Sequence, residues 1–439
     1  MKARLLKLAQ DLTDAFWALP ALIVIALSGL GLVVVEVQSL DQLLSWIPQG
    51  WAYGGGDTGA RTLLGAIASS TISVAGTLFS ITIAALTLAS SQMGPRLLRN
   101  FMRDRGNQVT LGVFLGTFGY ALLVLRSVRG GEESAFVPAL GVTVGLVLAG
   151  ACVALLIYFI HHVASRINVD TVIDLVSDEV HRDIERLTLD EAPAAPPDAV
   201  DWAHACEVCL DQSGYLQQLD AHALVDWAER HDCVVQFLRR PGDFVLPHTP
   251  IARLSKPVEG AEAAIRNAIA LSRQGGSSAD LTFPIGQLVE VAVRALSPGI
   301  NDPRTAISVL NRLGAALADL ARRHLDNGVR ERDGVVRVRF PTLGYREVAA
   351  VMFEMIRESA GRSPSVLIHM VTVLTEVAGI ERAPDRLDVL RRHARVAEAE
   401  GQALFVNAAD RQRLADAHAG FLATAAGREA APRRSEGVL

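Results

Sequence analysis

Four stretches of this chain carry no Asp, Glu, Lys or Arg and are each long enough to cross a lipid bilayer. They are residues 16–35 (FWALPALIVIALSGLGLVVV), 62–90, 109–125 and 136–160. A hydrocarbon core of about 30 Å takes roughly 20 helical residues at about 1.5 Å each. Backbone N–H and C=O groups find no water in lipid, so runs of this length and character are helices. The first run follows a basic start, MKARLLKLAQDLTDAF, but ends without a small-residue cleavage site, so it reads as an uncleaved membrane helix rather than a signal peptide. The sequence therefore predicts a mainly α protein. Residues 1–163 form a four-helix transmembrane domain, and a cytoplasmic α+β domain follows it, a small β-rich unit and then a helical region.

Loop charges set the direction. Lys2, Arg4 and Lys7 precede the first crossing, and Arg96, Arg99, Arg103 and Arg105 follow the second. The first loop sets Glu36, Asp41 and Asp57 against Arg61, and the third balances Arg126 and Arg129 with Glu132 and Glu133. The positive-inside rule then puts both termini in the cytoplasm, with the protein multi-pass in the membrane and lipids as its surroundings. Net charge is -5 and no basic patch is interleaved with aromatics, which speaks against nucleic acid as a partner. The missing intramembrane charges argue against a proton relay or an ion-coupled transporter and are compatible with a passive pore.

The second crossing is rich in hydroxyls, and they are ordered. Ser70, Ser73, Thr77, Ser80, Ala84, Thr87 and Ser91 follow one another in alternating steps of three and four, which puts small residues along one helix face. Two readings are open. The seam packs against another helix of the same chain, since small residues allow close approach in membranes. Alternatively it faces a symmetry axis, where copies from several subunits line a hydrated pore. The basic segment QMGPRLLRNFMRDR follows; Arg96 and Arg99 either ring the cytoplasmic mouth of such a pore or touch lipid phosphates.

Beyond the membrane, residues 164–189 show helical apolar spacing (Val169, Val172, Ile173, Val176, Val180, Ile184) and read as a stalk helix. His161 and His162, at its junction with the lipid, read as interfacial side chains; neighbours in sequence do not share a helix face, which makes joint chelation awkward. An Ala/Pro-rich linker spans 190–202. Residues 203–254 read as the small β-rich unit, with the turn RRPGDF inside it. His204, Cys206 and Cys209 spell H-x-C-x-x-C. A zinc site would want a second ligand pair, which His222 and Cys233 supply only by accident of folding, so the cysteines read as buried strand residues and no metal or cofactor is expected. A disulfide framework is not expected of these cysteines or of Cys152. Residues 255–425 read as a helical domain, with helices over 258–274, 284–296, 303–325, 344–360, 363–379 and 383–398 and one strand at 335–340. Residues 426–439 read as a disordered tail.

Between two of those helices lies SPGINDP, residues 297–303. Pro298 and Gly299 make a turn. Asp302 precedes Pro303 and is placed to cap the next helix through the N–H of Arg304 or Thr305. Ser297 and Asn301 satisfy the loop's own backbone. No nucleophile–base set surrounds the loop, and neither G-x-x-x-x-G-K nor G-x-S-x-G occurs, so no enzyme is expected and the loop reads as a structural or subunit-contact element.

ALSPGINDPRTA closely resembles the hallmark of a bacterial family of predicted membrane proteins, domain of unknown function 2254. SSQMGPRLLRNFMRDR, SGYLQQLD and RRPGDFVLPHTPI resemble it too, and together the likeness spans roughly residues 15–400. Where the family carries a segment like FGLRQLVDIA, this chain has LTFPIGQLVEVA. The resemblance implies the membrane architecture and supplies no activity. The seam, the charge-free crossings and the large soluble part together predict a homo-oligomeric inner-membrane ion channel of unspecified permeant ion. The alternative is a membrane-anchored sensor or scaffold whose cytoplasmic domain binds a ligand or partner.

Overall fold

The structure, a computed structural model, describes residues 16–39, 53–93, 104–130, 136–166, 168–194, 200–276, 279–361 and 363–430. The chain divides into two compact units, Lys2–Asn168 and Val169–Leu439.

The first unit is four helices: α1 (Ala18–Ser39), α2 (Asp57–Met93), α3 (Arg105–Ser127) and α4 (Ala139–Arg166). Each is long and apolar enough to cross a membrane. They run past the expected limits because helical backbone continues beyond the apolar stretch at most ends. α3 is the most buried and packs against the other three. Its glycines make that possible. A Cβ at Gly112 would stand 2.9 Å from Ile23 Cδ1 and 3.0 Å from Pro20 Cα of α1, and one at Gly116 would stand 2.6 Å from Leu27 Cδ1. With hydrogen there instead, the two backbones close up, which is how helices associate where lipid is as apolar as leucine. Tyr120 is fully buried and donates its hydroxyl to the Gly141 carbonyl of α4 at 2.9 Å.

The second unit begins with α5 (Val169–Leu187). The helix expected over 164–189 is present here with shorter bounds. Val172, Ile173, Val176, Val180 and Ile184 are buried, and the helix lies against α8 (Thr282–Ala295) and α9 (Pro303–Leu320). Its partners come more than a hundred residues later, so its apolar stripe belongs to the core of this unit. Arg312 reaches Asp174 at 2.6 Å and His181 reaches Asp319 at 2.5 Å along the same contact. A two-residue β1 (Thr188–Leu189) then pairs with β8 (His324–Leu325).

The β-rich part is larger than residues 203–254. β2 (Cys206–Cys209), β3 (Gly214–Leu219), α6 (Ala221–Arg230), β4 (Val235–Phe237), β5 (Phe244–Val245), β6 (Pro250–Leu254), α7 (Ala261–Ala268) and β7 (Ile269–Ser272) follow in order. A hairpin of β9 (Val329–Arg332) and β10 (Val335–Arg339) returns to it. The main sheet has the order β2-β6-β4-β10-β9, with β10 parallel to β4 and the other pairs antiparallel; the second sheet is β5-β3-β7. The helix expected over 258–274 thus ends early, because residues 269–272 pair with β3. Val208, Leu216, Leu224, Val235, Phe237, Ala252, Leu254, Ile265 and Val338 share one core.

Four more helices complete the unit: α10 (Tyr345–Ala360), α11 (Pro364–Ile380), α12 (Pro384–Leu404) and α13 (Ala408–Ala430). α9 and α11 meet at its centre, where a side chain at Gly314 would collide with Val373. Residues 426–430, expected in a disordered tail, are helix; the remainder of that tail lies outside the described residues.

Candidate functional site

α2 carries two heptad stripes on opposite faces. Leu64, Ala68, Thr71, Ala75, Leu78, Thr82 and Ala85 are buried. They are spaced four and three apart, and they turn toward α3 and α4. Ser70, Ser73, Thr77, Ser80, Ala84 and Thr87 are all exposed. At about 100° per residue the second stripe lies roughly half a turn from the first. Within the chain, packing is therefore the task of the Leu64 stripe, and among the described residues no helix covers the hydroxyl stripe. Ser91 belongs to the same helix, but its side chain lies outside what is described, as do Arg96 and Arg99 altogether.

Four hydroxyls of the exposed stripe fold back on their own helix. Ser70 donates to Ile67 O (3.1 Å), Thr77 to Ser73 O (3.2 Å), Ser80 to Gly76 O (3.0 Å) and Thr87 to Ile83 O (2.9 Å). Each proton is thereby satisfied inside the helix, and the oxygen lone pairs are left facing outward. The exposed faces of α1 and α4 differ sharply. They present Leu22, Ile25, Leu32 and Val33, and Val147, Val153, Ile157 and Ile160. Those bulky apolar side chains suit lipid tails. On α2, Ile72, Phe79, Ile81 and Ile83 flank the hydroxyl stripe instead.

At one end of the bundle lies a polar cluster that sequence reasoning missed. Asp104 caps α3 by accepting from Gly106 N (2.8 Å) and holds His162 Nε2 of α4 at 2.7 Å. That bond gives a partner to His162, which the sequence presents as an interfacial side chain. The partners stand far apart in sequence, and the only signal was Asp104 followed by Gly106 at the start of a helix.

The SPGINDP loop is a closed helix–loop–helix connection. Ser297 Oγ donates to Arg294 O (2.6 Å), and Ile300 N and Asn301 N both reach Ser297 O, at 3.0 and 2.9 Å. Asn301 takes a left-handed conformation (φ 49°), which turns the chain, and Asp302 N then bonds Ala295 O at 2.7 Å. Asp302 caps α9 as its position implied. Its carboxylate accepts from Arg304 N (3.0 Å), Thr305 N (3.3 Å) and Thr305 Oγ1 (2.6 Å), with Pro303 in the first turn. The Thr305 hydroxyl, more than the backbone bonds, lowers the carboxyl's pKa below its ordinary value. Pro298, Gly299 and Ile300 project into the open.

Two other motif segments converge. In RRPGDF, Gly242 (φ 98°) follows Pro241, and Asp243 N bonds Arg240 O at 3.1 Å. The turn is stitched to SGYLQQLD by Leu216 N to Asp243 O (2.9 Å) and Gly242 N to Leu216 O (2.8 Å). The Asp280 carboxyl lies against Gly242 where a Cβ would otherwise sit. Burial raises the pKa of Asp280, opposed by bonds from Thr282 N (2.9 Å) and Thr282 Oγ1 (2.6 Å). Arg240 Nη1 then reaches Glu347 Oε2 at 2.8 Å, while Glu347 also accepts from Gly344 N (3.1 Å) at the start of α10. The turn thus joins the sheets to the helices.

No cluster of three or more His, Cys, Asp or Glu suited to a metal occurs among the described residues. Cys206 and Cys209 are exposed, contrary to expectation, whereas Cys233 is buried. The reason is that β2 is an edge strand with one neighbour, and only Val208 turns into the core.

Comparison with known proteins agrees with this architecture. Residues 13–376 match the family described as Predicted membrane protein (DUF2254). The chain belongs to that family. It is also 32% identical over 423 residues to an uncharacterized protein of Mycobacterium tuberculosis and to one of Mycobacterium bovis, covering 91% of this chain and 77% of each relative. No solved structure matches.

Proposed function

We propose that this DUF2254 protein is a homo-oligomeric ion channel of the bacterial inner membrane, with both termini in the cytoplasm. Copies of α2 surround the axis and present Ser70, Ser73, Thr77, Ser80, Thr87 and Ser91 to water. Arg96 and Arg99 stand at the cytoplasmic mouth, and residues 169–439 assemble or gate the ring. One observation carries this reading. The hydroxyl stripe lies on the face of α2 turned away from the chain's own helices, whereas the outward faces of α1 and α4 are bulky and apolar. Seven small residues in register are poorly suited to lipid tails and well suited to a wetted pore or a close subunit contact. α2 spans 37 residues, about 55 Å of helix against about 30 Å of hydrocarbon, so it reaches well beyond the bilayer core.

The test is conductance of the purified full chain in planar bilayers, alongside its mass in mild detergent. A channel gives unitary currents, and the triple substitution Ser73→Leu, Thr77→Leu, Ser80→Leu alters or abolishes them without unfolding the protein. A monomer that stays silent across voltage, tension and pH refutes the reading and leaves a membrane-anchored sensor or scaffold.

A further inference from the structure

The main sheet has two unlike faces. On one, Val208, Leu254, Val235 and Val338 pack with Leu224 of α6 and Ile265 of α7. Strand residues alternate sides, so their chain neighbours stand on the other face. There the register sets Glu207 of β2 beside Arg253 of β6, Arg253 beside Gln236 of β4, and Gln236 beside Arg339 of β10. Arg337, two positions before Arg339 on the same strand, flanks the row. Neighbouring strands lie about 4.8 Å apart, so the backbones of Arg253 and Arg339 are about 10 Å apart with Gln236 between them. Three guanidinium groups thus share one sheet face in a chain whose net charge is -5.

Two of these arginines are held in place by their neighbours. Arg253 donates through Nε to Gln236 Oε1 at 3.0 Å, and its guanidinium stacks on Trp202, 4.4 Å from the ring centroid. Those contacts leave both of its Nη groups to donate, and Gln236, accepting through its oxygen, keeps its NH2 group as a donor. Arg337 gives Nη1 to Asp232 Oδ1 at 3.1 Å, which leaves Nη2. Two carboxylates border the row. Asp232 is shared with Lys256, whose Nζ lies 3.8 Å away, and Glu207 is exposed on the edge strand. With Lys256, four positive groups stand against two negative ones.

We propose that this face binds a soluble phosphate-bearing molecule, with Arg253, Gln236 and Arg337 donating to its oxygens and Arg339 adding charge. Guanidinium forks match phosphate oxygens in pairs, and the bonds are charge-assisted. A row of donors about 10 Å long has room for two linked phosphates. Arg337 is only 13% exposed, so the ligand must come down onto the sheet, which a small soluble molecule does more readily than a headgroup fixed in a bilayer. The site lies within residues 169–439 and does not depend on ion conduction.

Isothermal titration of the full chain in nanodiscs with sodium pyrophosphate tests it, with sodium chloride at matched ionic strength as the blank. Saturable binding is expected. R253Q removes a fork and should weaken it by about tenfold or more. E207Q, at an exposed position, removes a competing carboxylate and should tighten it by about twofold or more. The affinity should be the same in nanodiscs of zwitterionic and of anionic lipid; competition by the anionic lipid assigns the face to headgroups and overturns a soluble ligand. Heat no greater than the blank overturns the site, and so does binding that R253Q and E207Q leave unchanged. If R253Q fails to fold, E207Q decides: an affinity that does not rise overturns the proposal.

Discussion

In the bundle of α1 to α4, helices meet through what is missing from the side chain: Gly112 and Gly116 against α1, Gly141 and Gly145 against α2 and α3. In residues 169–439 they meet through what is present. Leu310, Leu313, Leu317, Met352, Phe353, Met370 and Leu374 are fully buried. Ion pairs and caps such as Arg240–Glu347 and Asp302–Thr305 tie the helix ends. The difference follows from the solvent each unit meets. Lipid gives leucine no reason to leave it, so close backbone approach must hold the bundle, whereas water expels apolar area at about 25 cal/mol per Å².

Substitutions can break this contrast. Phe353→Ala empties a site in the water-facing unit and should cost about 3–5 kcal/mol, read as a lowered midpoint in chemical denaturation. The same unit should weaken in acid through His393. Burial, with Arg392 and Arg357 adding to it, depresses this histidine from 6.5 to about 4. The unfolded chain therefore takes up the proton first. Stability is intact above the ordinary histidine value and falls as pH drops from there toward 4, by on the order of 3 kcal/mol. His393→Leu should flatten that part of the stability–pH curve. In the bundle the sign of side-chain size reverses. Adding bulk with Gly116→Leu should push α1 from α3 and cost about 1–3 kcal/mol, seen as loss of a monodisperse peak on heating in detergent. Asp302→Ala removes a cap and should cost about 0.5–2 kcal/mol in the unfolding of residues 169–439. Smallest of all, the triple leucine substitution on the hydroxyl stripe should change thermal stability by less than about 0.5 kcal/mol, because the hydroxyls it removes bond only backbone carbonyls of their own helix. A large destabilisation there would mean that the stripe is a packing face after all.

What the sequence made legible follows the same division. The crossings could be read because charge-free runs of that length have one solution in lipid. The heptad spacing of the hydroxyls was legible, but not which way they face. No face of the α2 crossing carries charge, and Ala68, Thr71, Ala75, Thr82 and Ala85 of its buried stripe, Leu64 and Leu78 apart, are nearly as small as the exposed one. Only the position of α3 and α4 separates them. The cap at Asp302 was readable because it is local, its acceptors and donors lying within three residues. The Asp104–His162 bond, the burial of α5 and the turn-to-helix bond Arg240–Glu347 were not, since each joins residues dozens to a hundred or more apart. β7 was read as helix because residues 258–274 continue an apolar spacing that only pairing with β3 interrupts.

One pairing in the main sheet bears on how the chain is made. β10 lies between β4 and β9, so the middle of a sheet begun at Cys206 is supplied by residues 335–339. As the chain leaves the ribosome, β4 waits with one edge unpaired while α7, α8 and α9 emerge. An open edge of this kind invites pairing with other chains. The interval is a window in which a chaperone has something to hold. A fragment cut before residue 335 would keep that window open permanently, since it lacks the strand that pairs with β4 in the whole chain.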